Sequence, residues 1–72
     1  MNSIKIYFDN LDNANEQNRL GELVDIAIAK DMDYETLKTK SNLINAGMEF
    51  PVLEAENRFY AYKEALEWLI NY

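Results

Sequence analysis

At 72 residues the chain is one domain, of a size at which folding hides only about 60% of the surface the unfolded chain exposes. It has no cysteine and no histidine, which removes disulfides, thiolate chemistry, the commonest metal ligands and the commonest general base. Its formal net charge is −6 with seven basic residues scattered along the chain, so no face is built to hold phosphate and nucleic acid is not an expected partner.

Apolar residues make up 49% of the chain, including five tyrosines, three phenylalanines and one tryptophan. That is enough for a packed core and lies outside the disordered class. The stretch "MNSIKIYFDN" has no charged leader ahead of a long apolar region, and no apolar run approaches the ~20 residues that span a bilayer. The expectation is a single cytoplasmic domain over residues 1–72, without a membrane partner.

In "IKIYF", Ile4, Ile6 and Phe8 alternate with Lys5 and Tyr7, so residues 3–8 are predicted as a strand. The following "YFDNLDNANEQNRL" holds six Asn or Asp residues. Asp12, Asn13 and Asn15 can accept hydrogen bonds from the free N–H groups of a helix start, and Glu16 suits the positive end of its dipole. Leu20, Leu23, Val24, Ala27 and Ile28 recur at helical spacing opposite Glu22 and Asp25, predicting a helix over 15–31.

"MDYETLKT", residues 32–39, reads as a second strand because Tyr34 and Thr36 alternate and the preceding helix completes a βαβ unit, although Asp33 would equally start a helix. In "KSNLINAG", Ser41 or Asn42 can cap one or two turns that Gly47 ends. "EFPVLEAENRFYAY" reads as a hairpin with Val52 and Leu53 in one strand, Phe59 and Ala61 in the other, and Asn57 left-handed in the turn. Tyr62, Ala65, Leu66, Leu69 and Ile70 define a C-terminal helix face, with Lys63, Glu64, Glu67 and Asn71 on its wet side. The fold class is α/β, with a crossover making the first two strands parallel and the hairpin joining the same sheet.

"IKIY" at the first strand, "MDYETL" at the second, the single proline of "EFPVLE" and "YAYKEALEWL" into the last helix together resemble a thioredoxin-fold protein, most of all a small glutaredoxin. The resemblance covers nearly the whole chain. It implies the order β-α-β-α-β-β-α and a four-stranded mixed sheet, order 2-1-3-4, flanked by helices. It also implies a Cys-x-x-Cys pair where Asp12, Asn13, Ala14 and Asn15 stand here. That chemistry needs a thiolate whose pKa the helix dipole lowers, and carboxylate or carboxamide groups cannot attack a disulfide.

The resemblance further implies a cis peptide bond before Pro51, facing that loop, against a general expectation of only about 5–6% for X–Pro bonds. Where a glutaredoxin holds glutathione with a Gly-Gly-x-Asp-Asp-like stretch, this chain has "YAYKEAL". Tyr60 and Ala61 stand in place of glycines, and Lys63-Glu64 in place of the acidic pair.

The acidic runs "DNLDNAN" and "DMDYE" do not fit a calcium loop, since Ala14 and Thr36 stand where glycine is needed and Leu20 and Asn42 where the closing glutamate belongs. No metal and no cofactor are expected. Glu54 and Glu56 flank the hairpin turn, where they serve solubility and blunt edge pairing. Trp68 and Tyr72 share a second stripe of the last helix with Ala61 and Ala65, either packing near Ile26 or forming an exposed partner site.

These readings lead to a redox-inactive glutaredoxin-like domain with no catalytic residue, which binds a protein partner through Asn13, Phe50, Pro51 and Tyr60, as a monomer or weak homodimer. Two alternatives stand beside it: an enzyme of the same class that binds glutathione or another small molecule without cysteine chemistry, and an acidic inhibitor or decoy.

Overall fold

The computed structural model describes residues 3–72. Its elements are β1 (Ser3–Phe8), α1 (Ala14–Ala29), β2 (Asp33–Lys38), α2 (Ser41–Asn45), β3 (Val52–Ala55), β4 (Arg58–Tyr60) and α3 (Tyr62–Ile70). They form an α/β fold around one four-stranded mixed sheet of order β2-β1-β3-β4. β1 pairs parallel with β2, Ile6 facing Thr36, and antiparallel with β3, Ile6 facing Leu53. Parallel neighbours need a long crossover, and α1 supplies it.

The two-residue period of β1 divides the core. Ile4 and Ile6 point to the face covered by α1 and α3, where they pack with Leu53, Ala55, Leu23, Ala27, Ala65 and Leu69. Tyr7 points the other way and is buried with Val52 and with Leu43 of α2. β3 is therefore buried on both faces, which is why Val52 and Leu53, adjacent in sequence, are both apolar and both fully enclosed. On the second face this cluster packs with Leu37, Met48 and Phe50, and α2 contributes a single buried residue, Leu43.

Two residues on the predicted apolar stripes are not core. Ile28 and Ile70 are each 58% exposed. Both fall in the last turn of their helix, past the packed segment, where the Lys30 ammonium donates to the Ile70 carbonyl. The second predicted strand over 32–39 is a strand at 33–38. The last strand stops at Tyr60, because Ala61 is the N-cap of α3 instead of a strand residue. α2 is capped by Lys40 and not by Ser41 or Asn42, and it has no side-chain cap hydrogen bond.

Three turns place residues at positive φ. The Glu56–Asn57 turn joins β3 to β4 with both residues at positive φ, 54° and 63°, the pattern of a two-residue type I′ hairpin whose twist matches its strands. Gly47, at φ 71°, ends α2. α1 ends in a Schellman arrangement, with the Asp31 N–H donating to the Ile28 carbonyl and the Met32 N–H to the Ala27 carbonyl.

Asp31 takes the left-handed position of that cap at φ 57°, where glycine is the usual occupant, and its charge sits at the negative end of the helix dipole. Asp31→Gly is expected to stabilise the fold by about 1 kcal/mol, raising the melting temperature by about 4–8 °C in a domain of this size. A thermal melt followed by circular dichroism checks it; a lower melting temperature would rule out the cap geometry. The Phe50–Pro51 peptide bond is cis.

Candidate functional site

The polar loop after β1 is closed on itself. Asn13 is the N-cap of α1, its side-chain carbonyl accepting from the Glu16 N–H at 3.1 Å. The Glu16 carboxylate reaches back to accept the N–H groups of Asp9 and Asn10, the latter at 2.9 Å. The Asn10 side chain accepts from the Asp12 N–H. Asn13 thus meets one free donor of the helix start, as the first half of a capping box does, while the Glu16 carboxylate, set against the positive end of the dipole, holds loop N–H groups and the Asn13 N–H goes to the Asn10 carbonyl. Lys38 at the end of β2 holds the other side of the loop, donating to the Asp9 carbonyl and lying 3.8 Å from its carboxylate. Of the Asp12–Asn15 stretch, Asp12 and Asn13 lie in the turn, while Ala14 and Asn15 are already helical.

A second set of contacts ties the segment before Pro51 to both long helices. Arg19 of α1 pairs with the Glu49 carboxylate at 2.8 Å, and its guanidinium carbon lies 4.5 Å from the Tyr62 ring centroid. Tyr62 donates its hydroxyl to Glu22 at 2.8 Å and its N–H to the Glu49 carbonyl at 3.0 Å. Burial and the Glu22 carboxylate raise the Tyr62 phenol pKa above its usual value, with Arg19 opposing them. Phe50 is half-buried against the Tyr7–Leu43–Val52 cluster, and Pro51 is fully buried.

Tyr60 goes elsewhere. By register it stands opposite Leu53, on the α1/α3 face, and its ring lies 6.1 Å from that of Trp68 in α3. Trp68 in turn lies 5.3 Å from the Tyr72 ring. The three rings, each tilted to the next, line an open groove of about 440 Å3 whose other walls include Glu56, Glu64 and Glu67. The signal for this grouping lies in the sequence: Glu64, Trp68 and Tyr72 are spaced four residues apart, Glu64 and Trp68 on one face of α3 and Tyr72 just past its end. Sequence reasoning placed Glu56, Glu64 and Glu67 as solvated charge and paired Tyr60 with the loop instead of with Trp68.

A smaller concavity of about 170 Å3 opens on the sheet face that α2 only partly covers, lined by Lys5, Tyr7, Lys40 and Phe59 among others. There the Tyr7 hydroxyl donates to Glu54 at 2.7 Å. Burial first, then the hydrogen bond and the charge of Glu54, push the Tyr7 phenol up to about 12.

The four expected partner-binding positions thus lie in different settings. Asn13 is exposed but engaged as a cap, Phe50 is half-buried on the α2 side, Pro51 is enclosed, and Tyr60 opens onto the aromatic groove. Among the described residues no three acidic side chains converge as metal ligands would, and no helix is long and apolar enough to cross a membrane. No family model matches the chain, and neither a curated protein nor a solved structure matches it.

Proposed function

We propose that the chain is a redox-inactive protein-binding module on a thioredoxin-like, glutaredoxin-like scaffold, and that it meets its partner at the groove of Tyr60, Trp68 and Tyr72. The sheet order β2-β1-β3-β4, with α1 and α3 packed on one face and α2 on the other, supports the scaffold. With no cysteine or histidine in the chain, thiol exchange and imidazole general-base chemistry are both absent from it.

The observation that carries the reading is the row of three aromatic rings lining one open groove of about 440 Å3. Tyrosine and tryptophan offer large contact area with little side-chain entropy to lose, and they dominate the energetics of protein interfaces. The loop at Asp12–Asn15 is a weaker candidate, because the Asn13 side chain is engaged in capping α1 and the Asp12 N–H is held by the Asn10 side chain. Of the positions expected from sequence, Tyr60 is the one this reading retains as a contact.

Site-specific photo-crosslinking tests it. A benzophenone amino acid placed at Tyr60, in cells that express the protein, is expected to give discrete protein adducts. The same group at Phe59, which points to the other face of the sheet, is expected to give few. Equal yields from the two positions, or none from Tyr60, would contradict the assignment.

A further inference from the structure

We propose that the Tyr60–Trp68–Tyr72 groove takes an arginine side chain from a basic segment of the partner, the guanidinium lying on the indole ring and paired with the glutamates beside it. This rests on the protein-binding reading above and adds the chemistry of the occupant.

Two features of the groove carry it. The first is a continuous aromatic surface, Tyr60 to Trp68 at 6.1 Å and Trp68 to Tyr72 at 5.3 Å. The face of such rings is electron-rich and attracts a cation placed within about 6 Å of the centroid, tryptophan most strongly. The second is charge: among the described residues the lining carries Glu56, Glu64 and Glu67 and no lysine or arginine. None of the three makes an ion pair among the described residues, whose salt bridges are Arg19–Glu49 and Lys38–Asp9. With the chain at −6 overall, an anionic or phosphate-bearing occupant would be repelled and a basic one drawn in.

The chain itself contains a worked example of this recognition. The Arg19 guanidinium lies 4.5 Å over the Tyr62 ring and 2.8 Å from the Glu49 carboxylate, while Glu22 holds the tyrosine hydroxyl. Ring and carboxylate together hold a guanidinium there, and the groove on α3 presents the same pair of partners outward. Arginine fits better than lysine, because a planar, weakly hydrated guanidinium can stack on indole and still donate two parallel hydrogen bonds to a carboxylate.

The experiment titrates the purified chain with a blocked hexapeptide of alternating glycine and arginine, read through the fluorescence of Trp68, the one tryptophan. Saturable binding is expected, weakening as salt is raised. The counterpart with citrulline, which keeps the shape and loses the charge, is expected to bind at least about ten-fold more weakly. The Glu64→Gln/Glu67→Gln double variant changes only exposed positions of α3, so its fold is not at risk, and it is expected to lose about ten-fold as well. No response of Trp68 to the arginine peptide, citrulline binding as tightly, or unchanged binding by the double variant would each overturn the proposal.

The two readings fail separately. Protein adducts at position 60 without arginine discrimination would leave a protein-binding groove of different chemistry. Arginine discrimination without adducts would leave a cation site and remove the protein partner.

Discussion

Leu53→Ala is expected to lower the melting temperature by about 10–30 °C and to leave a large fraction of the chain unfolded at physiological temperature. Leu53 is fully enclosed in the inner strand β3, opposite Ile6 and Tyr60 across its two neighbours. Removing a buried leucine down to alanine costs the lost transfer energy plus a cavity, about 2–5 kcal/mol. A domain of 72 residues has only about 4–11 kcal/mol to lose, by the usual per-residue stability. The same truncation at Ile28, which is 58% exposed, is expected to change stability by about 0.5 kcal/mol or less. Thermal melts of the two variants check the pair, and a similar small shift in both would contradict the packing of β3.

Alkaline pH is expected to destabilise the protein through Tyr7. A phenol whose pKa is higher in the folded chain than its unfolded value of 10 holds its proton more tightly when folded. The stabilisation is therefore complete below about pH 10 and is lost as pH rises toward the folded value of about 12. The physical event is simple: ionised Tyr7 would face the Glu54 carboxylate across 2.7 Å, both negative. The loss is about 2 kcal/mol, less than a full two-unit shift implies, because the hydroxyl opens onto the concavity lined by Lys5 and Lys40.

Tyr62 adds to the loss in the same direction, being raised by burial and Glu22. Tyr7→Phe is expected to be less stable than the parent at neutral pH, having lost the hydrogen bond, yet to lose markedly less stability between about pH 9.5 and 11.5. Lysine deprotonation is common to both proteins and cancels in the comparison. Denaturant unfolding across that range reads the difference; parallel curves would remove Tyr7 as the source.

Much of the fold was legible because its elements carry strong local signals. The alternation of Ile4, Lys5, Ile6 and Tyr7 marks β1, and the Leu23–Ala27 spacing marks α1. The Asn13–Glu16 pair marks the helix start that the structure then caps. Local pattern ran out where neighbours decide. Ile28 and Ile70 fit their helical stripes, but whether a stripe is covered at its last turn depends on how far the facing layer extends. Ala61 fits a strand as well as a helix cap, and β4 stops at Tyr60 because α3 begins two residues on.

The candidate site was legible only in its parts. Trp68 and Tyr72 share a helical stripe and stand out as a possible surface, and Tyr60 stands out as a contact, yet nothing local links a strand residue to a helix eight positions further on. The antiparallel register that sets Tyr60 opposite Leu53 decides it, by turning the ring toward α3. Glu56 joins the group because the two-residue hairpin turn places it beside that helix. The asparagine-rich loop draws attention by composition, and two of its asparagines have local work, Asn13 capping α1 and Asn10 holding the Asp12 N–H.

The most direct measurement is a nitrogen-proton correlation spectrum of the labelled chain, titrated with the purified partner recovered through the adducts at position 60. The indole N–H of Trp68 and the amides of Tyr60, Glu67 and Tyr72 are expected to shift most. A footprint confined to residues 9–15, or to the sheet face around Lys5 and Phe59, would contradict a partner site on the aromatic groove.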